Sequence, residues 1–299
     1  MKIVISGASG LIGTPLVARL RGKGHEVVRL VRRTPAQGEA QWDPRAGVLD
    51  PAVLEGVDAV IHLSGAGIGD KRWTSAYKRE VLESRTLSTS LIARTIASLE
   101  RKPRVFLSGS AIGIYGARDD EALTESSAHG TGFLADVCEQ WEAAAAPARD
   151  AGVRTVLLRT GIVLSPQGGA LKKLLAVFKW GIGGRFGNGK QWQSWISLDD
   201  ELGAIEFLLD APVSGPVNLT APHPVTNAEF TRVLARVVKR PAVLPIPSFG
   251  PKLLLGADLA DALLMTGQRV LPNVLTTNGF TFAHATLEDA LRALLNKHS

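Results

Sequence analysis

Lys2-Ile3-Val4-Ile5-Ser6-Gly7-Ala8-Ser9-Gly10-Leu11-Ile12-Gly13 is the stretch that decides the fold. Lys2–Ser6, β-branched at Ile3, Val4 and Ile5, predicts a strand. Leu16, Val17 and Leu20 then recur at helical spacing, so Leu11–Gly22 predicts a helix. Between the two lie glycines in a G-x-x-G-x-x-G spacing. Gly7 allows a tight turn, Gly10 lets the backbone approach a pyrophosphate, and Gly13 permits close helix–strand packing. The helix N-terminus offers unpaired N–H groups and a positive dipole end to phosphates. Ser9, Leu11 and Ile12 sit in the same turn. The stretch therefore predicts a dinucleotide site, with an ordinary glycine turn as the alternative.

Outward from that turn, strands are predicted at Glu26–Arg32, Val57–Ser64, Arg104–Ser108 and Arg154–Leu164. Helices are predicted at Ser75–Leu99 and Phe133–Ala151. Several strands are near-continuous apolar runs, as expected of parallel strands covered on both faces. Alternating strand and helix predict an α/β fold: a Rossmann doubly wound parallel sheet. After Leu164 the pattern changes. A loop and a helix over Ala170–Trp180 lead into the glycine-rich stretch 181–189. Prolines at Pro241, Pro245, Pro247, Pro251 and Pro272 then joint the tail. Val217-Asn218-Leu219-Thr220 reads as a strand returning to the main sheet. The expected organisation is a Rossmann domain over 1–165, joined again by 195–222. A smaller C-terminal substrate lobe comprises 166–194 and 223–299.

Composition bounds the function. The chain has 299 residues, 45% hydrophobic and 21% charged, which suits a globular protein and excludes a disordered one. With one cysteine, Cys138, no intrachain disulfide framework or cysteine-based zinc cluster can form. The six histidines show no ligand spacing, so no metal is expected. The net charge of +6 is spread along the chain rather than gathered in runs, which points to an anion site and away from nucleic acid. No run approaches the ~18 apolar residues of a membrane span. With no export signal read at the N-terminus, the cytoplasm is the expected compartment, and a monomer or homodimer the expected state.

The end of the second strand separates the two nicotinamide cofactors. An acid there binds a ribose 2′-hydroxyl, whereas arginine accommodates a 2′-phosphate. The sequence is Leu30-Val31-Arg32-Arg33-Thr34, without an acid. Arg32 and Arg33 therefore predict NADP(H), the alternative being solvated surface arginines. His62-Leu63-Ser64-Gly65 ends the next apolar strand, and its small residues let a dinucleotide lie close to the backbone. His62 reads as a packed edge residue.

These residues, with Ser108–Gly116 and Leu158-Arg159-Thr160, resemble the extended short-chain dehydrogenase/reductases. Arg72-Trp73, Glu80 with Ser84-Arg85, Trp141-Glu142-Ala143-Ala144 and Trp195-Ile196 are closer to its YfcH-like epimerase branch. Gly267–Pro272 and Gly279-Phe280-Thr281-Phe282 resemble that branch's C-terminal module of unknown function. The resemblance implies an NADP(H)-dependent oxidoreductase or nucleotide-sugar-epimerase-like enzyme. Its partner would be a small hydroxyl or carbonyl substrate, a nucleotide sugar among the candidates. It also implies a catalytic Ser, Tyr and Lys, of which Ser110 is the carried-over serine. No Tyr-x-x-x-Lys follows: Gly132–Glu139 holds neither residue, and the two tyrosines, Tyr77 and Tyr115, lack a lysine four positions on. Two readings stand. Tyr115 supplies the acid/base group from the serine loop, or the protein is a non-catalytic NADP(H)-binding sensor and Tyr115 is a packed turn residue.

Glu80 and Arg85 extend the sheet-facing surface of their helix, where charges need partners. They either pair with each other or reach the cofactor, as the resemblance favours. By the same resemblance Thr160 and Ile162 edge the nicotinamide. Gln191, Trp192 and Trp195 resemble a loop closing over substrate, with packing between lobes as the alternative.

Overall fold

The computed structural model describes residues 1–242, 245–247, 252–253 and 256–296, so Pro251 lies outside the described residues. Its centre is an eight-stranded sheet in the order β12-β8-β6-β5-β1-β2-β3-β4. The strands are β1 (Lys2–Ser6), β2 (Glu26–Val31), β3 (Glu39–Asp43), β4 (Val48–Leu49), β5 (Ala59–His62), β6 (Val105–Ala111), β8 (Arg154–Thr160) and β12 (Gly215–Leu219). All neighbours are parallel except β3 and β4. From β1 the order runs one way through β2 and the other way through β5. A crevice opens at that reversal, beyond the carboxyl ends of the strands.

Helices cover both faces. On one, α1 (Gly13–Gly22) and α6 (Leu198–Asp210) bring Leu16, Leu20, Leu202 and Ile205 onto Ile3, Ile5, Ile61 and Leu107. On the other, α2 (Ser75–Ser98) and α4 (Ala146–Asp150) bring Ile92, Ile96 and Ala148 onto Val4, Val60 and Phe106. Strands buried on both sides need apolar residues at successive positions, which is why β1, β5 and β6 read as continuous runs.

Two expected elements are broken. The helix expected over Phe133–Ala151 is α3 (Phe133–Ala143) followed by α4; the chain turns at Ala144-Ala145, and Pro147 sits in the first turn of α4. The strand expected over Arg154–Leu164 stops at Gly161. A Cβ there would lie 2.4 Å from the Ser194 carbonyl oxygen, so only glycine lets the backbones meet. Gly161 N donates to Leu219 O, and Ile162 N donates to Ser194 O. The chain thus leaves the main sheet, and β9 (Ile162–Leu164) pairs with β11 (Trp195–Ser197) instead.

A further core lies beyond the sheet. It joins α5 (Gly169–Lys179) and α7 (Asn227–Val238) to the C-terminal helix α10 (Leu287–Leu294) around Phe178, Phe230, Leu234 and Leu291. Two further two-stranded sheets lie outside the main one: β10 (Trp192–Gln193) with β13 (Val225–Thr226), and β7 (Ala122–Leu123) with β14 (Arg269–Val270). Short helices α8 (Ala257–Ala260) and α9 (Asn273–Thr277) flank β14.

Candidate functional site

The turn after β1 is built as its glycines require. Gly7 has φ +71°, and a Cβ on it would lie 2.6 Å from the Leu63 carbonyl carbon. The end of β1 therefore rests directly on the end of β5. A Cβ on Gly13 would lie 2.2 Å from Gly7 O, which holds the first turn of α1 against the strand end. Gly10 N donates to Gly7 O and closes the loop.

From this turn a cleft of about 970 Å³ runs along the strand ends. Gly7, Ser9, Gly10, Arg32, Arg33, Leu63, Ser64, Gly65 and Glu80 all line it. The volume is at the upper end of the ~300–1,000 Å³ of small-molecule and cofactor sites. Arg29, Glu39, Trp42 and the Asp43-Pro44-Arg45 turn line its far end, and no sequence reading reached them. Their signal was an alternating run ended by a Pro/Gly turn. Arg33 is already engaged: its Nη1 and Nη2 donate to the Glu39 carboxylate at 2.7 Å each. Arg32 is exposed and has no carboxylate partner among the described residues.

The other expected cofactor residues do not line the cleft. Leu11 packs on the Gly168-Gly169 turn, and Ile12 packs on the α1 side of the sheet. Arg85 lies beneath Gly65, its guanidinium carbon 3.2 Å from where a Gly65 Cβ would be. It does not pair with Glu80, which faces Lys71 at 3.5 Å; five residues along α2 put the two on different stripes. Arg85 donates to Val81 O and stacks on the Trp141 ring at 5.0 Å instead. Thr160 donates to Glu201 Oε1 at 3.0 Å, and Ile162 packs on the outer core.

His62 is fully buried, between Ser6 Oγ at 2.5 Å from Nδ1 and Ser88 Oγ at 3.1 Å from Nε2. Burial, and then the nearby Arg85 charge, push its pKa down to about 3, so it stays neutral.

Ser110 and Tyr115 belong to one buried chain of hydrogen bonds. Ser110 Oγ donates to Glu142 Oε1 at 2.6 Å. Arg159 grips the same carboxylate from Nε at 2.8 Å and Nη2 at 2.9 Å. Arg159 Nη1 donates to the Tyr115 oxygen at 2.9 Å, and Tyr115 donates to Asn218 Oδ1 at 2.7 Å. Tyr115 is 0% exposed, so neither it nor Ser110 keeps a free hydrogen here. Burial pushes the Tyr115 hydroxyl up from its ordinary pKa against the pull of Arg159. Cys138, where a Tyr-x-x-x-Lys would fall, is a buried thiol pushed up to about 12 by burial.

The expected substrate loop is corrected in part. Trp195 is 0% exposed inside the outer core, its indole N–H donating to His223 O, so it offers no face to a ligand. Side chains alternate along β11, so Trp195 faces the outer core and Ile196 the main one. Gln191 donates to Phe186 O and Leu264 O. Trp192 donates to Asp120 Oδ1 beneath the Arg269 guanidinium, 4.8 Å away. Among the described residues, no group of three His, Cys, Asp or Glu is placed to hold a metal, and no helix is long and apolar enough to cross a membrane.

A doubly wound sheet, a glycine turn at its order reversal and a long cleft across the strand ends define an extended Rossmann protein. Residues 3–220 match the NAD dependent epimerase/dehydratase family and residues 246–294 match a domain of unknown function, DUF1731. The chain belongs to that epimerase/dehydratase family. It is 45% identical over 291 residues to epimerase family protein Mb2239 of Mycobacterium bovis, covering 97% of this chain and 96% of the relative. It is 35% identical to epimerase family protein YfhF of Bacillus subtilis, over 99% of this chain and 98% of the relative. Its structure is similar to that of human epimerase family protein SDR39U1 crystallised with NADPH. That match has a TM-score of 0.91 and 31% identity, with each chain fully covered.

Proposed function

We propose that the protein binds NADP(H) in the cleft and acts as an oxidoreductase or epimerase-like enzyme on a hydroxyl or carbonyl substrate, nucleotide sugars included. The cleft itself carries this reading. Its lining includes the Gly7–Gly10 turn that leads into α1 and, further along, Arg32. The α1 end and the Gly7–Gly10 backbone would hold the pyrophosphate, and Arg32 the 2′-phosphate. Bound there, the nicotinamide supplies or accepts a hydride. The NADPH of the human relative supports the same choice. Calorimetric titration should show tighter binding of NADPH than of NADH, and Arg32→Ala should cost roughly 1.5–3 kcal/mol of NADPH binding. Equal affinity for the two cofactors would overturn the assignment.

One observation favours a second reading, a non-catalytic NADP(H)-binding sensor. Ser110 and Tyr115 give their hydrogens to Glu142 and Asn218, and no Tyr-x-x-x-Lys stands beside them. An enzyme using this segment must free one of those hydroxyls when substrate binds. Carbonyl compounds and nucleotide sugars screened by NADPH oxidation separate the readings. Turnover abolished by Ser110→Ala with NADPH affinity intact supports the enzyme. Tight NADPH binding without turnover across the screen supports the sensor.

A further inference from the structure

The far end of the cleft contains a carboxylate that the cofactor reading does not explain. Glu39 lies on β3 directly across from Arg29 of β2. A carboxylate has about four acceptor positions, and three hydrogen bonds and one ion-pair contact surround this one. Oε1 receives Arg33 Nη2 at 2.7 Å, and Arg29 Nη2 lies against it as an ion pair, also at 2.7 Å. Oε2 receives Arg33 Nη1 at 2.7 Å and the Ala36 backbone N–H at 2.8 Å. The side chain has no exposed surface.

An acid at the adenosine end of a Rossmann site ordinarily accepts from the ribose 2′-hydroxyl and so selects NAD. Glu39 sits at that end, but its carboxylate is enclosed by Arg33, Arg29 and the Ala36 N–H and presents no exposed surface to a hydroxyl. What it does instead is hold two guanidiniums. Arg33 is fixed as a two-pronged fork, tied further by Nη1 to Thr34 O at 2.8 Å. Arg29 is drawn to the same carboxylate, and its Nε is buried without a partner among the described residues. Arg32 and Arg45 stand exposed on the same rim. The other nearby acid, Asp43, spends Oδ1 on the Arg45 and Ala46 backbone N–H groups.

We propose that Glu39 is a positioning residue that sets cofactor specificity: it orders Arg29 and Arg33 for a 2′-phosphate while being unable to receive a 2′-hydroxyl. A planar guanidinium held in advance loses less freedom when it meets a phosphate. This rests on the NADP(H) reading above and adds to it the device that makes the choice.

The test uses the whole chain and calorimetric titration of NADPH and NADH against wild type, Glu39→Gln and Glu39→Asp. Glutamine turns one acceptor into a donor facing Arg33. Aspartate keeps the charge but is too short to span both guanidiniums. Both variants should lose about tenfold in NADPH affinity, the scale of one hydrogen bond to a charged group, with NADH affinity held within about twofold. The NADPH-to-NADH ratio is the readout, because a merely structural role moves both affinities together. An unchanged or increased ratio overturns the role of Glu39, and so does a joint fall in both affinities with a lower melting temperature. Wild type that does not prefer NADPH overturns the cofactor reading itself, before any variant is compared.

Discussion

Glu201 shows how far a single residue can be pushed by its surroundings. It lies in the first turn of α6, where a helix dipole favours a carboxylate, yet it is 0% exposed. Thr160 satisfies Oε1, and Oε2 has no partner among the described residues. Burial wins and raises its pKa from the ordinary carboxylate range to about 8, so the acid stays protonated at neutrality. The unfolded chain gives up this proton first. The contribution of Glu201 to stability therefore falls as pH rises from the ordinary carboxylate range to about 8, then levels. At pH 7 the loss is about 3 kcal/mol. Glu201→Gln keeps an acceptor for Thr160 and cannot ionise. Denaturant unfolding at several pH values should show the variant gaining on wild type steadily between pH 5 and 8. A constant difference across that range would mean that Glu201 is not buried as an acid. Its neighbour Asp200 is satisfied differently, accepting from Ser197 Oγ and from the Ala283 and His284 N–H groups.

At the scale of elements, the glycine turn between β1 and α1 is the part most open to a decisive substitution. A Cβ at Gly13 meets Gly7 O at 2.2 Å, so either α1 or the strand end must shift. Overpacking of this kind costs ~1–3 kcal/mol. Gly13→Ala should lower the melting temperature and weaken NADPH binding by about tenfold or more, the loss expected when phosphate-facing N–H groups move out of line. Unchanged affinity, read by the same titration, would place the cofactor elsewhere. This turn was legible in the sequence because all its contacts are local or lie at the adjacent strand end. β1, β5 and β6 were legible for a related reason: burial on both faces writes a continuous apolar run. β3, β4 and the pairing of β9 with β11 were not: β3 is buried only at Trp42 and writes no apolar run, and the others are two or three residues long. The break at Gly161 depends on Ser194, far along the chain. For the site the division is the same. Arg32 and Arg33 could be read from a strand end, but the partner of Arg33 comes from β3. Ser110 and Tyr115 could be picked out of one segment, but Glu142, Arg159 and Asn218, which decide what those hydroxyls do, come from α3, β8 and β12.

On the scale of the whole molecule, the tail of unknown function is stitched into the Rossmann body rather than hung from it. Ser194 Oγ donates to Gln268 O at 2.6 Å and accepts from Val270 N at 2.8 Å. Asn218, which already receives Tyr115, donates from Nδ2 to Leu271 O at 2.9 Å. Glu125 Oε1 accepts from both Asn218 N and Val274 N. On the opposite face Phe280 packs with Phe207 of α6 and with Phe282, at centroid distances of 5.6 and 4.9 Å. The hydrogen-bond chain from Ser110 through Arg159 thus ends on the tail, and the outer core depends on α10 for Leu287, Ala290 and Leu291. Contacts this dense between body and tail predict one cooperative unit. Leu291 is 0% exposed, so Leu291→Ala should cost ~2–5 kcal/mol, the range for truncating a buried leucine. Because the units are joined, that loss should appear in the unfolding of the whole chain. Far-ultraviolet dichroism and the fluorescence of the six tryptophans, Trp195 beside α7 and α10 among them, should show a single transition at a lower midpoint. Two separate transitions would mean that the tail folds as a separate domain, and that the hydrogen-bonded path from Ser110 to Leu271 does not couple it to the site.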